Sequence, residues 1–397
     1  MDKKNPTITY VLPVLFGGTL LAMLVLYLVL PQRDFSQREN RTLQTRPALT
    51  WDGLKSGTFM DRFETYTTEQ LPFREGLVEC KAFLNRLTFS RENNDIVLGK
   101  DGYLFDKCYG VSAQLNKNET AVLNFVKEAD RPVVVAIAPN ATEILKDYVP
   151  KGCPEADQSV ALADFAEKIE ALPYGNSVDL VTPLLTEAKR KPDMQLYYRT
   201  DHHWTTDAAY LAYGEIVGML DAVNGANSGR DELNGAGHAL PSPVELSKLT
   251  KHEADDFYGT MYAKFKGGNL SPDTLTWYDV PVTEFVRSDG TFDSLYDLDK
   301  LQIYDKYAMF LYGNDEICRV SAQNAGNGRH LIVFKDSYAN CLIPFLTYQY
   351  DEITIVDLRY YNESVSALLG SDPNADILLL YNFSFLNEDN HFYRLTS

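Results

Sequence analysis

The chain has 397 residues, of which 45% are hydrophobic and 23% charged, enough to bury one large core or two ordinary ones. Its formal net charge of −18 excludes a protein that binds the nucleic-acid backbone through clustered Lys and Arg, so no nucleic-acid partner is expected. Five scattered cysteines without a C-x-x-C pair exclude a disulfide scaffold and a cysteine zinc site, and we expect neither a metal nor another cofactor.

The N-terminal part of the chain carries one long apolar stretch. Residues Ile8 to Leu30 contain no charged side chain, and at about 1.5 Å per residue they can cross roughly 30 Å of hydrocarbon. The stretch ends at Pro31 without the small residues of a signal-peptide cleavage site, which favours an uncleaved anchor. We therefore predict a cytoplasmic stub and transmembrane anchor over residues 1–31. The long remainder, without a second such stretch, favours a single-pass protein of the cell membrane whose folded part is extracytoplasmic.

Residues 32–94 are predicted to form a stalk followed by a helical segment. The polar, mixed-charge stretch 32–50 is typical of a stalk that lifts a domain off the bilayer. Apolar side chains then recur every three to five residues from Phe59 to Leu71, which predicts an amphipathic helix closed by Pro72. A helical pattern continues from Leu77 to Leu87.

The main domain is predicted to span residues 95–397. It opens with two apolar runs around a glycine-containing turn at 95–105, the pattern of a β-hairpin. The predicted strands are Pro132–Ala138, Val178–Val181, Met194–Tyr198, Leu331–Phe334, Ile353–Asp357 and Asp376–Leu380. The predicted helices are Ala141–Tyr148, Leu162–Leu172, one capped by Thr205, Tyr338–Leu346 and Ser364–Leu369. Residues at about 222–325, rich in Gly, Asn, Asp and Ser, break this alternation and are predicted to be an insertion of loops and irregular strands.

Alternating strands and helices predict an α/β fold with a mostly parallel sheet, whose ligand sites lie at the carboxyl ends of the strands. The polar residues at or just after such ends are Asp201, His203, Ser337, Arg359 and Asn382. The predicted site is therefore on this edge of the sheet.

Ser337 directly follows a predicted strand, in the run Lys335-Asp336-Ser337-Tyr338. A serine at a strand-to-helix turn presents its hydroxyl above the sheet, and its backbone N–H points to where an oxyanion would form. The structural alternative is a serine or aspartate that only caps the following helix.

Asp201 and His203 offer the partners that a nucleophilic serine needs. Two residues apart on extended backbone, they project to the same side, so the carboxylate can accept the Nδ1–H of His203 and leave Nε2 free to face a nucleophile. His202 then points the other way, either as a structural histidine or as a substrate contact. Trp204 either packs to fix the loop or stacks on a sugar ring.

These motifs resemble a known family. The segments Leu196–Thr205, Asp336–Tyr338, Glu39–Arg41, Gln70–Arg74 and Gly99–Phe105 are similar to the bacterial DHHW protein family. That family is related to alginate O-acetyltransferases of the J and X types and, more distantly, to SGNH/GDSL hydrolases. The resemblance implies an SGNH-hydrolase-like three-layer α/β fold, with the serine block after the Asp/His block instead of before it.

Carried over residue by residue, the resemblance makes Ser337 the nucleophile, His203 the general base and Asp201 its orienting carboxylate. It makes Asn382 an oxyanion donor beside the Ser337 N–H, while the family's glycine donor has no clear match. Two further substrate-binding candidates lie near these positions. Tyr338 follows the serine, and Arg359 can bind a uronate or phosphate group or form a structural ion pair.

The resemblance implies a membrane-anchored O-acetyltransferase that acts on a cell-surface or secreted polysaccharide. It also implies a separate membrane O-acyltransferase as acetyl donor, of which the sequence itself shows no sign. An acetyl esterase on the same three residues is one alternative. The other is a non-catalytic envelope protein that binds carbohydrate or assists assembly, with Trp204 and tyrosines as its platform.

Overall fold

A computed structural model describes residues 6–36, 41–87, 91–107, 110–226, 240–266, 270–323 and 326–396. Of the residues that carry the predictions above, Glu39 and Asn40 lie outside these ranges, as do Cys108, one of the five cysteines, and most of the Gly/Asn-rich segment after residue 226. The chain divides into two compact units, one of residues 1–90 with 266–268 and one of residues 91–265 with 269–397.

The secondary structure is numbered in chain order. The α-helices α1 to α13 span Pro6–Val29, Trp51–Ser56, Thr58–Glu69, Arg74–Leu87, Ala113–Glu128, Ala141–Ile144, Gln158–Glu170, Val181–Arg190, Thr206–Ala226, Thr260–Phe265, Ile343–Leu346, Val365–Ser371 and Phe383–Glu388. The strands β1 to β15 span Phe35–Ser36, Arg41–Thr42, Glu92–Asn93, Ile96–Leu98, Leu104–Asp106, Val133–Ala138, Gly175–Val178, Lys251–Phe257, Asp273–Tyr278, Val282–Arg287, Gly290–Phe292, Ile317–Ala322, His330–Lys335, Glu352–Val356 and Asp376–Asn382.

The first unit contains α1 to α4. Within α1, residues Tyr10–Val29 form a helix long and apolar enough to cross a membrane. Thr50 caps the N-terminus of α2, because its side chain accepts the backbone N–H of Gly53. Gly57 caps the C-terminus, and its φ of +79° is the left-handed conformation that glycine adopts without steric cost. Amphipathic α3 and α4 occupy the two segments predicted to be helical.

The second unit is built on one eight-stranded sheet with the order β11-β10-β12-β14-β13-β15-β6-β7. The five strands from β14 to β7 pair in parallel, and β10 to β12 extend the sheet with antiparallel pairs. The central strands are mostly apolar and buried on both faces, as parallel strands covered by helices are. The predicted mostly parallel α/β sheet is confirmed.

Successive side chains of each strand enter two different hydrophobic cores, because side chains alternate across a sheet. In β6, Val134 and Ala136 join a cluster that includes Ala208, Ala212 and Ile216 of α9. The side chains of β6 that point to the opposite face pack in a second cluster with residues of α5, α7, α12 and α13. One helical layer therefore lies on each face of the sheet, which gives the expected three-layer arrangement.

Three local predictions were wrong. The strand predicted at Val178–Val181 ends at Val178, because Asp179 accepts the N–H groups of Val181 and Thr182 and starts α8. The segment Met194–Tyr198 is not a strand of the sheet, and its one bridge joins Tyr197 to Trp204.

The helix predicted at Tyr338–Leu346 is divided into a 3₁₀ turn and α11. The 3₁₀ turn spans Ser337–Cys341, and α11 begins at Ile343, with Pro344 in its first turn. The long helix α5 was not predicted at all.

The segment predicted as an insertion at about 222–325 contributes regular structure. Strands β8 and β9 form a two-stranded sheet, and β10 to β12 join the large sheet. Its described part also contains helix α10 and 3₁₀ turns at Leu246–Lys248, Leu298–Gln302 and Lys306–Met309. Several of its loops reach the candidate site.

Candidate active site

Ser337 occupies the turn that follows β13. Asp336 caps this turn, because its Oδ1 accepts the Tyr338 N–H at 2.8 Å. Ser337 is half-buried, and its Oγ lies 2.7 Å from Nε2 of His203. The Ser337 N–H lies at the first position of the 3₁₀ turn, where a helix offers it no acceptor.

Asp201 holds the other side of the His203 ring. Its Oδ1 lies 2.6 Å from Nδ1 of His203 and also accepts the His203 backbone N–H at 3.0 Å. The other carboxylate oxygen accepts the backbone N–H and the hydroxyl of Thr260, at 2.7 and 3.0 Å. The carboxylate is fully buried but well supplied with donors, so Nδ1 is the protonated nitrogen and Nε2 can accept the Ser337 hydroxyl proton.

Burial sets the charge states of this pair. Burial, reinforced by neighbouring His202, lowers the pKa of His203 to about 4, so the imidazole is neutral at pH 7. Burial alone would raise the pKa of Asp201, but the two histidines and the Thr260 donor outweigh it and hold that pKa below its usual value. The pair at neutral pH is therefore a carboxylate beside a neutral imidazole.

Aromatic rings confine His203 from both faces. Tyr307 stacks on it with ring centroids 3.8 Å apart and planes 10° apart, and the His202 ring lies on the other side, also at 3.8 Å. The Tyr307 hydroxyl donates to the backbone carbonyl of Ser337 at 3.1 Å. Tyr307 thus contacts both the histidine and the segment that carries the serine.

Sequence reasoning missed Tyr307, Gly259, Thr260 and Asp273, which all belong to the segment predicted as an insertion. Asp273 is buried, and its carboxylate accepts the N–H groups of Arg199 and Thr200, which fixes the backbone before Asp201. None of these residues lies in a motif, and their composition resembles that of ordinary loops. Their roles depend on contacts with segments distant in the sequence.

Asn382 ends β15 beside the serine turn. Its backbone N–H and its Nδ2 both donate to Oδ2 of Asp336 at 2.7 Å, and its Oδ1 accepts the N–H of Phe385. One amide hydrogen of Asn382 is therefore engaged, and the second remains for another acceptor. Burial raises the pKa of Asp336 to about 6. The oxyanion role of Asn382 stays a prediction.

A pocket of about 510 Å³ opens above Ser337. Its lining includes His202, Asn140, Asn382, Arg359 and Phe385, together with charged side chains of both signs. A pocket of this size admits a sugar-sized group beside the serine hydroxyl.

Two predicted substrate contacts were wrong. Trp204 is 0% exposed, and its Nε1 donates to the backbone carbonyl of Tyr338 at 2.8 Å, so it cannot stack on a sugar. Tyr338 is also fully buried, and its hydroxyl donates to the His202 carbonyl. Both side chains fix the two site segments against each other.

Arg359 and His202 combine structural contacts with access to the pocket. Arg359 forms a bidentate ion pair with buried Asp357, with distances of 2.9 and 2.6 Å, and although burial opposes its charge the pair raises the pKa of Arg359. His202 places Nδ1 2.8 Å from the Thr260 hydroxyl. Both line the pocket, so substrate contact by either stays a prediction.

The side chains of Asp201, His202 and His203 offer ligand atoms within 4.8 Å of one another, a grouping that can hold a metal ion. Both ring nitrogens of His203 are engaged in hydrogen bonds, to Asp201 and to Ser337. This arrangement suits proton transfer between the three side chains.

Comparison with known proteins places these segments in context. Residues 184–356 match the family model described as DHHW protein, and residues 96–253 match the one described as SGNH hydrolase-like domain, acetyltransferase AlgX. The resemblance to the DHHW protein family is confirmed. The first match includes the Asp-His-His-Trp motif, Tyr307 and Ser337. No curated protein sequence matches the chain.

Solved structures share the fold. A DHHW family protein from Eubacterium siraeum is 23% identical, with a TM-score of 0.59 over 76% of this chain and 95% of that one. Bacillus cereus PatB1, in a structure with a sulfonyl adduct, is 20% identical, with a TM-score of 0.59 over 77% of this chain and 99% of that one. The O-acetyltransferase domain of Pseudomonas putida AlgJ matches more weakly, at 15% identity and a TM-score of 0.43 over 74% of this chain and 93% of that one.

Proposed function

We propose that the protein is a membrane-anchored, extracytoplasmic O-acetyltransferase that acts on a cell-surface or secreted polysaccharide through Ser337, His203 and Asp201. The observation that carries the proposal is the unbroken series of hydrogen bonds from Ser337 Oγ through His203 to the Asp201 carboxylate, at 2.7 and 2.6 Å. Such a series makes a serine hydroxyl nucleophilic.

In the proposed reaction, His203 Nε2 takes the hydroxyl proton as Ser337 Oγ attacks the carbonyl carbon of an acetyl donor. The Ser337 N–H and one Asn382 amide hydrogen face the negative oxygen of the tetrahedral intermediate. The donor's leaving group departs with the proton from His203, which leaves acetyl-Ser337. A sugar hydroxyl then attacks this ester as His203 takes its proton. The bond between Ser337 Oγ and the acetyl carbon breaks, the acetylated sugar leaves, and Ser337 Oγ takes the proton back from His203, while Asp201 stays ionised throughout.

The comparisons with known proteins support the proposed chemistry, and the membrane-length helix supports the proposed location. The match to an acetyltransferase AlgX model favours acetyl transfer, and the sulfonyl adduct named for PatB1 favours a reactive nucleophile in this fold. The membrane-length helix Tyr10–Val29 supports anchoring, with the second unit exported. In this proposal the acetyl groups come from a separate membrane O-acyltransferase that delivers them across the bilayer, the partner that the family resemblance implies.

The test is acetylation of the purified full-length protein in detergent. With 4-nitrophenyl acetate, we expect an acetyl adduct on Ser337 by peptide mass spectrometry, and labelling by a sulfonyl fluoride at the same residue. Ser337→Ala and His203→Ala are each expected to reduce turnover on the order of 10³-fold or more. Ser384→Ala is the matched control, because Ser384 lines the same pocket outside the hydrogen-bonded series.

Transfer and hydrolysis are separated by adding an oligosaccharide acceptor. A transferase yields acetylated sugar at the expense of free acetate, whereas an esterase yields acetate alone. If Ser337→Ala retained wild-type turnover and labelling, the catalytic proposal would be abandoned in favour of a binding protein.

A further inference from the structure

Helices α2 to α4 leave apolar side chains exposed in pairs that share a helix face. The exposed pairs, three or seven residues apart, are Trp51 and Leu54, Met60 and Phe63, and Leu77 and Leu84. Residues at these spacings lie on the same side of a helix. Phe73, in the turn between α3 and α4, is also exposed. Exposed apolar side chains grouped on helix faces in this way indicate contact with another apolar phase or a partner.

Helix α3 contacts the end of the membrane-length helix α1. Gln32, just beyond α1, donates its Nε2 to the Tyr66 hydroxyl at 2.9 Å. The Gln70 side chain bonds both backbone groups of Arg33, accepting its N–H at 3.0 Å and donating to its carbonyl at 2.8 Å. The ring of Tyr66 also packs edge-on against Tyr27 with centroids 6.2 Å apart. The C-terminal part of α3 is therefore fixed beside the last turn of α1.

The burial of α1 shows how deep this contact reaches. From Tyr10 to Leu30, only Met23, Leu26 and Tyr27 are partly covered, and every other side chain is exposed. These three lie on one face, three and four residues apart. The last turns of a spanning helix lie at the boundary between acyl chains and headgroups. Tyr66 of α3, which packs against Tyr27, therefore lies at that boundary too.

An aromatic row continues along α3 from this contact. Phe63 lies between Phe59 and Tyr66, with ring centroids 5.7 and 6.2 Å away. Aromatic side chains concentrate at the membrane interface, where an apolar ring can face the acyl chains.

The charge of the helical segment also permits contact with a membrane. Residues 41–87 carry seven Lys or Arg against six Asp or Glu, whereas the whole chain carries a net charge of −18. An anionic headgroup layer therefore repels this segment far less than it repels the rest of the protein.

We infer that α2 to α4 form a platform that lies on the outer bilayer surface, with the side chains of Trp51, Met60, Phe63 and Phe73 inserted among the lipids. The exposed apolar face of these helices thus contacts lipid at the boundary between headgroups and acyl chains, where interfacial helices are buried by about 5–10 Å. This inference depends on the membrane-anchored part of the proposed function.

The chain carries its own reporter for this platform. Of its three tryptophans, Trp51 is 80% exposed, whereas Trp204 and Trp277 are 0% and 8% exposed. The full-length protein is reconstituted in phosphatidylcholine–phosphatidylglycerol vesicles with or without lipids brominated on upper acyl carbons. We expect bromolipids to quench a large part of the emission, and Trp51→Phe to remove that quenched part.

Charge substitutions on opposite faces of α3 provide the matched pair. Met60→Glu is expected to weaken the bromolipid quenching of Trp51 several-fold, and Thr65→Glu, at an exposed position on the other face, to leave it unchanged. Alkaline carbonate extraction tests the anchor separately, because release of the wild-type protein would refute anchoring itself.

Two outcomes would overturn the platform while the protein stays in the membrane. If iodide quenches Trp51 and bromolipids do not, the helices lie away from the bilayer. If neither iodide nor bromolipids quench Trp51, a second copy of the chain or another protein covers the apolar face.

Discussion

His203 is the residue whose surroundings decide the chemistry of the site. It is buried and lies between the rings of Tyr307 and His202, and both of its nitrogens are engaged. A histidine side chain in water has a pKa near 6.5, but burial and the neighbouring His202 lower the pKa of His203 to about 4. The neutral, proton-accepting form is thus present at every physiological pH.

This lowered pKa predicts the pH dependence of acetylation. Because the free protein must hold His203 neutral, kcat/KM for an acetyl ester should stay level as the pH falls from 8 to about 5. It should decline only as the pH approaches the His203 pKa of about 4. Stopped-flow measurement of nitrophenolate release across this range is the check. An acid limb centred near 6.5 would show that the ring is solvated instead of enclosed.

Tyr307 offers a matched pair of variants for the same profile. Tyr307→Phe keeps the ring on His203 and loses only the hydrogen bond to the Ser337 carbonyl, so its acid limb should coincide with that of the wild type. Tyr307→Leu removes the stacked ring and admits water, so its limb should move to higher pH. Equal limbs in both variants would assign Tyr307 to packing alone.

Among the elements, the loop between β8 and α10 determines how closely Asp201 can be held. Gly259 lies so near that a Cβ added to it would be 2.2 Å from Asp201 Cβ and 2.3 Å from its Oδ2. Thr260, the next residue, supplies two of the donors to that carboxylate. The close approach is possible only because residue 259 has no side chain.

Gly259→Ala should therefore displace Asp201 and reduce both activity and stability. We expect turnover to fall at least tenfold and the free energy of unfolding to fall by about 1–3 kcal/mol, the usual cost of overpacking. Gly214→Ala is the control, because a Cβ there meets nothing within 4 Å in the middle of α9. That change should raise stability by about 0.5–1 kcal/mol and leave turnover unaltered. Urea unfolding and ester turnover measure both effects.

The strands of the large sheet show where prediction from sequence succeeds. The apolar run of Val133–Ala138 lies between two prolines, and that of His330–Lys335 lies between its terminal His and Lys, so the type and place of both strands could be read directly. The short segment Met194–Tyr198 has a similar apolar composition, but Asp273 takes the N–H groups that follow it and no sheet neighbour is available. The competing acceptor is distant in sequence, and no local pattern reveals it.

At the scale of the whole molecule, the motif residues were predictable and their surroundings were not. Asp201, His203 and Ser337 could be named because proton transfer requires these side-chain types, and the two-residue spacing of Asp201 and His203 puts both on one side of the chain. The ring of Tyr307 and the buried position of Trp204 depend on how a segment without a motif folds back over the sheet. Prediction therefore identified the three hydrogen-bonded side chains but not the residues that enclose them.

The two units also differ in what holds them together, and this tests the boundary predicted near residue 95. The buried apolar clusters of the second unit contain residues from Ile96 to Leu395, and within the described ranges no residue before 91 belongs to them.

A chain of residues 91–397 should therefore unfold cooperatively at the same midpoint as the full-length protein in the same detergent. It should also cleave a soluble acetyl ester with unchanged kcat/KM, since Ser337, His203, Asp201 and Tyr307 all lie within it. Circular dichroism melting and ester turnover are the measurements, and Ser337→Ala in the shortened chain controls for background hydrolysis. A shortened chain that melts without cooperativity would show that the N-terminal unit is part of the folding core, and the proposed boundary would have to move toward the membrane helix.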